Sequence, residues 1–358
     1  MADSADETAR KVRVLVVEDS PSVREFLIHV LASDRAISVV GSAASGEEAL
    51  EAVRRLRPDV ITMDIHMPGI DGLEATRRIM ESDPTPIVIV SGTSDPREVS
   101  VSFAAMQAGA LAALPRPTGF GHADHEAGAR ELVRTVKAMA EVKVVRRGQR
   151  GAHAIPTAPQ RVAAPRVRMV AIGASTGGPP ALHTILAALP GDFPAPIAVV
   201  QHMAPGFILG FVDWLAQSSR LAVRLAAHGE VVHPGTVYVA PDGRHMAIDR
   251  GGRIALAPGE LGNGKLCPSV GHLFRSVAQA YGREAAAGLL SGMGRDGAEE
   301  LRQLKEMDAA TFAQDRASSV VHGMPGEAIR LDAALYVLPP EKIAGLLIDL
   351  ANGRRSVC

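Results

Sequence analysis

A glycine-rich stretch around Ser175 has the residue types and spacing of a nucleophilic site. In residues 170–178 (VAIGASTGG), apolar residues lead into Gly173, and Ser175 is then followed by Gly177 and Gly178. A strand that ends at Gly173 and a helix that begins near Gly178 would leave Ser175 on the sharp turn between them. This G-x-S-x-G spacing is that of a nucleophile elbow, in which glycines permit the bend. Taken alone, the stretch also fits a turn that binds phosphate or has no chemical role.

A serine hydroxyl needs a base and a group that orients the base, and His202 and Asp296 are candidates. His202 follows the predicted strand Pro196–Gln201, and Asp296 follows the predicted strand Ala286–Leu290. The carboxyl ends of parallel strands lie at one edge of a sheet, so we expect Ser175, His202 and Asp296 to meet there. A neutral imidazole can take the serine proton near pH 7, and a carboxylate fixes its tautomer.

Each partner also has a plainer interpretation when taken alone. His202 could be a structural or surface histidine, and Asp296 could be a favourable charge at the start of its own helix. The proposed chemistry also needs donors for the oxyanion of a tetrahedral intermediate. We expect the backbone N–H groups of Thr176 and Met293 to supply them. Other histidines (His233, His245, His272 and His322) show no metal-ligand spacing with one another.

The first third of the chain predicts a second, different site. Glu18 and Asp19 follow the predicted strand Val12–Val17, and Asp64 follows Val60–Met63. Converging carboxylates repel one another unless a cation lies among them, and a hard divalent ion with oxygen ligands, Mg²⁺, fits such a site. Asp64 could then accept a phosphoryl group.

Ser91 and Arg116 end or follow the next predicted strands of the same unit. We expect Arg116 to neutralise phosphoryl oxygens at the carboxyl edge of that sheet.

The elements that position these residues form two doubly wound parallel α/β domains. We predict a disordered N-terminus (1–10), a five-stranded domain (11–143), a flexible basic linker (144–167) and a larger domain (168–358). In the larger domain, the runs Thr236–Ala240 and Arg253–Leu256 predict an inserted β-hairpin. The linker could act only as a tether, or its arginines could contact the acidic site.

Composition excludes several classes of function. The 358-residue chain is 47% hydrophobic and carries a formal net charge of −1, which gives no reason to expect nucleic acid as a partner. Its two cysteines have no metal-ligand spacing and are expected to be free thiols. The polar N-terminus is unlike a secretory signal, and no apolar run reaches the length of a membrane span. We therefore expect a cytoplasmic protein without membrane insertion.

The first domain resembles the receiver domain of two-component response regulators. The resemblance rests on residues 14–20 (VLVVEDS), 64–72 (DIHMPGIDG) and 90–92 (VSG). It implies that a histidine kinase phosphorylates Asp64, that Glu18, Asp19 and Asp64 hold Mg²⁺, and that Ser91 hydrogen-bonds the phosphoryl group. Two residues depart from the family pattern: Arg116 replaces the usual lysine, and Ala113 replaces a frequent aromatic residue. Arginine keeps the charge but not the compact ammonium geometry, which predicts a change in phosphorylation or in its readout.

The second domain resembles the catalytic domain of chemotaxis protein-glutamate methylesterases of the CheB type. Its motifs occur in the family's order, at residues 172–178, 201–203, 240–241, 268–270, 291–298 and 313–325. Ser291 replaces a commoner threonine and Gly271 replaces a usual aspartate, but neither belongs to the proposed triad.

The two resemblances together imply a phosphorylation-regulated serine esterase of chemotaxis adaptation. Its substrates would be glutamate γ-methyl esters on chemoreceptor cytoplasmic helices, and it would also deamidate receptor glutamines. The chemotaxis histidine kinase would be its activating partner, and the esterase would need no cofactor. One alternative is a non-enzymatic signalling adaptor, which degraded triad residues would favour. A nucleotide-binding dehydrogenase is another, but the G-x-G-x-x-G spacing is missing.

Overall fold

The protein forms two compact units. The computed structural model describes residues 10–92, 96–142, 144, 161–163, 166–259 and 266–356. Nearly all of the predicted disordered N-terminus and most of the predicted linker lie outside these residues. Contacts divide the chain into Met1–Gly151 and Ala152–Cys358. Within the described ranges, no helix combines the length and apolar character that crossing a membrane would require.

The first unit is a five-stranded parallel sheet whose strands alternate with helices. The strand order is β2-β1-β3-β4-β5. Its elements are β1 (Val12–Val17), α1 (Pro21–Ala32), β2 (Ile37–Ala43), α2 (Gly46–Leu56), β3 (Val60–Met63), α3 (Gly72–Ser82), β4 (Ile87–Ser91), α4 (Pro96–Ala108), β5 (Ala112–Pro115) and α5 (His125–Ala140).

Local sequence explains why these elements form. Strands β3 and β4 are buried along their whole length, so apart from Thr62 and the terminal Ser91 they consist of apolar residues that do not alternate with polar ones. Helices α2 and α3 begin at capping side chains: Ser45 accepts the Glu48 N–H, and Asp71 accepts the Glu74 N–H.

The second unit is built on a seven-stranded parallel sheet with the order β15-β14-β13-β7-β8-β10-β9. Its elements are β6 (Arg161–Ala163), β7 (Met169–Ala174), α6 (Gly178–Ala188), β8 (Ile197–Gln201), α7 (Ile208–Ser218), β9 (Ala222–Leu225), β10 (Thr236–Val239), β11 (Arg244–Ile248), β12 (Ile254–Pro258), α8 (Val270–Tyr281), β13 (Ala285–Leu289), α9 (Ala298–Glu306), β14 (Ala310–Gln314), α10 (Met324–Arg330), β15 (Tyr336–Leu338), α11 (Pro340–Ala351) and β16 (Arg354–Ser356). Two parallel-sheet α/β domains were predicted, and this prediction is confirmed.

The predicted inserted hairpin exists, but one of its proposed segments was assigned wrongly. The antiparallel pair is β11 with β12, which contains the predicted run Arg253–Leu256. The run Thr236–Ala240 instead supplies β10, which pairs in parallel with β8 and β9 in the main sheet. All four residues of β10 are buried, as expected of an internal parallel strand and not of a half-exposed hairpin.

One short pairing falls inside the segment predicted as a linker. Strand β6 lies within residues 144–167 and pairs antiparallel with β16 near the end of the chain.

Each of the two parallel sheets has a central point at which its strand order reverses. In the first unit this point lies between β1 and β3, and in the second it lies between β7 and β13. Connections leave in opposite directions there, so the loops beyond the carboxyl ends of these strands leave a crevice in which ligands bind. The predicted functional residues follow these four strands and their neighbours.

Candidate active site

Ser175 lies on the turn between β7 and α6. Gly177 has a φ of 76°, a left-handed conformation that a side chain would strain, and α6 begins at the next residue. The Ser175 N–H donates to the carbonyl of Ser291 at 3.0 Å. A Cβ atom placed on Gly292 would lie 2.8 Å from the Ser175 Cβ. The turn that carries Ser175 and the turn after β13 are therefore in direct contact, and glycine at position 292 permits the approach.

His202 lies beside Ser175 because their strands are neighbours. Ala174 of β7 is level with Gln201 of β8, and each is followed directly by a candidate residue. The His202 N–H donates to the Ala174 carbonyl at 2.9 Å. The imidazole is well buried, with a side-chain exposure of 10%.

Asp296 lies against His202 on the side of its Nε2 atom. The Asp296 Oδ2 is 3.0 Å from Nε2, although the contact is too far from linear to count as a well-formed hydrogen bond. Poorly aligned catalytic contacts are common before substrate binds. The structure thus brings Ser175, His202 and Asp296, which come from separate loops, to one edge of the sheet.

The carboxylate of Asp296 is held by the start of α8, a helix distant from it in sequence. The backbone N–H groups of Val270 and Gly271 donate to it at 2.7 and 3.0 Å. The Ser269 hydroxyl donates at 3.0 Å and also caps α8 by accepting the His272 N–H. A helix N-terminus favours a negative charge, so this contact stabilises the ionised carboxylate.

These contacts decide the protonation state of Asp296. Burial acts to raise its pKa, but the contact with His202 and the donors at Gly271 and Val270 outweigh burial. The net effect is a pKa below the usual value, so Asp296 is anionic at neutral pH and can stabilise a positively charged imidazole.

The predicted oxyanion residues lie on the two turns that touch. Thr176 follows Ser175, and its carbonyl accepts the Ser291 hydroxyl at 2.8 Å. Met293 is half-buried in the turn after β13, directly after Gly292. Both residues therefore lie on turns that contact each other next to Ser175.

A cleft of about 600 Å³ opens beside Asp296. Its walls combine apolar residues such as Pro258 and Leu266 with the cations Arg275 and Arg295. The unassigned histidines His245 and His272 also line it, with ring centroids 4.9 Å apart.

In the first unit, the structure brings together Glu18, Asp19 and Asp64. Potential ligand oxygens of these carboxylates lie within 4.8 Å of one another. Glu18 is only 3% exposed. Burial first, and the nearby Asp64 charge second, raise the pKa of Glu18 to about 7. Burial also raises the pKa of Asp64, although the Ile65 and His66 N–H groups oppose this.

This donor set fits a magnesium ion. The raised pKa values of Glu18 and Asp64 show that nearby positive groups do not outweigh burial and carboxylate repulsion. A divalent cation would relieve this repulsion, and oxygen donors are the ligands that Mg²⁺ takes.

Ser91 and Arg116 lie on the neighbouring strands of the same edge. Ser91 ends β4 and is level with Pro115 of β5, and its carbonyl accepts the Arg116 N–H at 2.7 Å. The Arg116 guanidinium covers Gly92, because a Cβ placed there would lie 2.6 Å from Nη2. The Arg116 charge also acts to lower the pKa of Glu18, against the stronger effects that raise it.

Sequence reasoning missed the residues that support the second site. Ser269 and Gln201 belong to motifs that were noticed, yet no role followed from the pattern. Gln201 is 2% exposed, and its side-chain amide donates to the carbonyls of Ser175 and His202 at 2.8 and 2.9 Å. The available signal was a polar residue at the end of an otherwise apolar strand.

Comparison with known proteins identifies both halves of the chain. A family profile described as the CheB methylesterase matches residues 170–347, and one described as the response regulator receiver domain matches residues 14–155. The crystal structure of the Thermotoga maritima CheB methylesterase catalytic domain is 38% identical, with a TM-score of 0.49, and covers 51% of this chain and 98% of its own.

Full-length relatives carry one name. The chain is 58% identical over 349 residues to the protein-glutamate methylesterase/protein-glutamine glutaminase of Nitrosospira multiformis, covering 96% of this chain and 98% of that protein. It is 54% identical over 348 residues to protein-glutamate methylesterase/protein-glutamine glutaminase 1 of Syntrophus aciditrophicus, covering 95% and 99%. Because the relatives are named as enzymes, they support the enzymatic interpretation over the adaptor and dehydrogenase alternatives. The chain therefore belongs to the protein-glutamate methylesterase/protein-glutamine glutaminase family, with a receiver domain followed by a CheB methylesterase domain.

Proposed function

We propose that the protein hydrolyses glutamate γ-methyl esters on chemoreceptors with Ser175 as the nucleophile, His202 as the base and Asp296 as the group that orients His202. The observation that supports this most is the contact of 3.0 Å between His202 Nε2 and Asp296, at the sheet edge where Ser175 follows the neighbouring strand. Because Nε2 faces Asp296, Nδ1 is the ring nitrogen available to Ser175.

The reaction follows from these roles. The Ser175 Oγ attacks the ester carbonyl while His202 takes its proton, and the Thr176 and Met293 N–H groups stabilise the oxyanion. Collapse of the intermediate releases methanol, which receives the proton from His202. Water then attacks the acyl-enzyme while His202 takes its proton. As the acyl bond breaks, His202 returns this proton to the Ser175 Oγ, which releases glutamate and restores free Ser175. A glutamine side chain would follow the same route, with ammonia leaving in place of methanol.

We further propose that a chemotaxis histidine kinase phosphorylates Asp64 and thereby raises esterase activity. Glu18, Asp19 and Asp64 would hold Mg²⁺, which when bound would neutralise negative charge on the phosphoryl oxygens. Ser91 would donate to the phosphoryl group, and Arg116 would add a positive charge beside it. With a histidine kinase and the cytoplasmic domains of chemoreceptors as partners, the protein would act in the cytoplasm.

Methanol release from methylated receptor membranes tests the esterase. The wild-type chain should release methanol, and Ser175→Ala should abolish the release because no nucleophile remains. Asp64→Ala should keep the basal rate but lose stimulation by a small-molecule phosphodonor. Methanol release by Ser175→Ala would remove the proposed mechanism, and normal stimulation of Asp64→Ala would remove the proposed switch.

A further inference from the structure

Oxyanion stabilisation depends on how two peptide planes are held. A trans peptide is planar, so its N–H points opposite to its C=O, and fixing the carbonyl fixes the direction of the N–H. The Thr176 N–H belongs to the peptide that carries the Ser175 carbonyl. The Met293 N–H belongs to the peptide that carries the Gly292 carbonyl.

The side chain of Gln201 holds the first plane. Its amide donates to the Ser175 carbonyl at 2.8 Å, and the Gly178 N–H donates to the same oxygen at 2.8 Å. The amide also reaches the His202 carbonyl at 2.9 Å, so one buried group ties the nucleophile turn to the residue of the proposed base.

Backbone donors hold the second plane, and Ser291 attaches their segment to the site. The Gly292 carbonyl accepts the N–H groups of Gly323 and Met324 at 3.0 and 2.9 Å. The Ser291 hydroxyl accepts the Val321 N–H at 2.9 Å and can donate to the carbonyl of Thr176 at 2.8 Å or of Val321 at 3.2 Å.

The backbone of Ser291 is also held by hydrogen bonds. It is fully buried, its N–H donates to the side chain of Gln314 at 2.8 Å, and its carbonyl accepts the Ser175 N–H. Its hydroxyl is therefore a junction between the nucleophile turn, the turn that carries Met293 and the segment that follows Val321.

We propose that Gln201 and Ser291 are positioning residues whose buried polar side chains align the oxyanion donors at Thr176 and Met293. This inference rests on the proposed function, because it assumes that these two N–H groups stabilise the oxyanion. Neither side chain needs to touch the substrate: each acts through the peptide groups that it holds.

Steady-state kinetics of methanol release by the full-length chain test the proposal. Gln201→Met and Ser291→Ala should each lower kcat by about 10- to 100-fold, less than the roughly 10²- to 10³-fold cost of deleting an oxyanion donor. KM should stay within about two-fold, because the lost interaction matters mainly in the transition state. Ser291→Thr keeps the hydroxyl and should recover most of the rate.

Thr311→Val is the matched control. The Thr311 hydroxyl is also fully buried and accepts a backbone N–H, that of Leu335, but it lies near the start of β14, away from the site. This variant should keep the wild-type kcat. If Ser291→Ala does not fold, Ser291→Cys retains a small side chain with a weaker donor and should give an intermediate rate.

A second readout separates alignment from general loss of structure. A small boronic acid forms a tetrahedral adduct with a nucleophilic serine, so its inhibition constant should rise in parallel with the loss of kcat/KM in Gln201→Met and Ser291→Ala. Wild-type kcat in these variants, or a loss confined to KM, would overturn the proposal. The unmodified chain and Ser175→Ala are measured in the same assay. If the unmodified chain is active and Ser175→Ala is inactive, the esterase proposal stands, and an unchanged kcat in Gln201→Met and Ser291→Ala contradicts this inference alone.

Discussion

The two carboxylate sites of this protein occupy equivalent places in similar folds, yet their electrostatics are opposite. Asp64 follows β3 and Asp296 follows the strand β13, each beside the point where the strand order of its sheet reverses. In the first site, burial and neighbouring carboxylates raise the pKa of Glu18 and Asp64. In the second, His202 and backbone donors lower the pKa of Asp296 despite burial.

The difference shows what decides the chemistry of a buried carboxylate. Both sites remove the carboxylate from water, which disfavours its charge. At the first site, the Ser20 N–H, the Ile65 N–H and the Arg116 charge do not outweigh burial and carboxylate repulsion. At the second, His202 and the donors at the start of α8 do outweigh burial. The first therefore suits a cation from solution, and the second suits a permanent anion that orients a histidine.

The most severe test of this contrast is Asp296→Asn. The amide keeps the shape but loses the charge and favours the wrong imidazole tautomer, so methanol release should fall by roughly 10³- to 10⁴-fold. Asp249→Asn is the control, because that exposed carboxylate also accepts backbone N–H groups, at Gly251 and Arg253. A rate near wild type for Asp296→Asn would mean that the second site does not depend on its negative charge.

Ionising Glu18 is unfavourable because the carboxyl group is buried beside Asp64, and we call this cost charge stress. It predicts that Glu18→Gln stabilises the receiver domain when Mg²⁺ is absent. The folded pKa of Glu18 is about 7, above its ordinary value of 4.5, so the folded state holds a proton that the unfolded state releases. Stability should therefore fall as the pH rises from about 4.5 to about 7. Relief of this penalty should add about 3 kcal/mol near pH 8 and less than about 1 kcal/mol near pH 5, since each pKa unit corresponds to about 1.4 kcal/mol.

Hydrogen exchange at the amides of β1 and β3 in the full-length chain measures this stability. Glu25→Gln, on the exposed face of α1, is the control and should have little effect. Mg²⁺ should stabilise the wild-type domain more than Glu18→Gln, because the variant has lost one ligand charge. Equal exchange rates for wild type and Glu18→Gln near pH 8 would contradict the charge-stress interpretation.

Weakening the contact between Asp296 and the start of α8 should raise the pKa of Asp296, as the pKa values of the first site are raised. Ser269→Ala removes one donor to Asp296 but leaves the N–H groups of Val270 and Gly271, so kcat/KM should fall by only about 3- to 10-fold. The pKa of Asp296 should rise, and the acid limb of the pH–rate profile should shift to higher pH.

Ser276→Ala is the matched control for this change. Its hydroxyl bonds to the Ile248 N–H and the Leu273 carbonyl on the same helix, away from Asp296. An unshifted acid limb for Ser269→Ala would show that the hydroxyl does not tune the carboxylate.

The smallest expected effect concerns the cation of the first site. Arg116→Lys keeps the positive charge near Glu18 but removes the guanidinium that covers Gly92. Phosphorylation of Asp64 by a small-molecule phosphodonor should change by less than about five-fold, the scale of a partly exposed ion pair. Arg116→Ala should reduce labelling further. If Arg116→Lys abolished labelling, guanidinium geometry and not charge would be what this site requires.

Much of the fold and of both candidate sites could be predicted from residue patterns. Buried parallel strands such as β3 and β7 are almost wholly apolar, and Asp64 and the glycines around Ser175 mark where they end. Since parallel strands end at one edge, the sequence also indicated which polar residues would gather there. The run that forms β10 was assigned to a hairpin because a short apolar strand does not reveal whether its neighbours are parallel.

What the sequence determined by itself is the order of the elements and the residue types at the strand ends, because burial periodicity and turn residues are local properties. Only the tertiary structure decided how each carboxylate is held. In the sequence, Asp296 lies just before helix α9, which suggests that it interacts with the start of that helix. Its partners are instead the N–H groups at the start of α8. Backbone donors are the same at nearly every residue, so no sequence pattern marks them, and the pKa of a carboxylate depends on which of them the fold brings within reach.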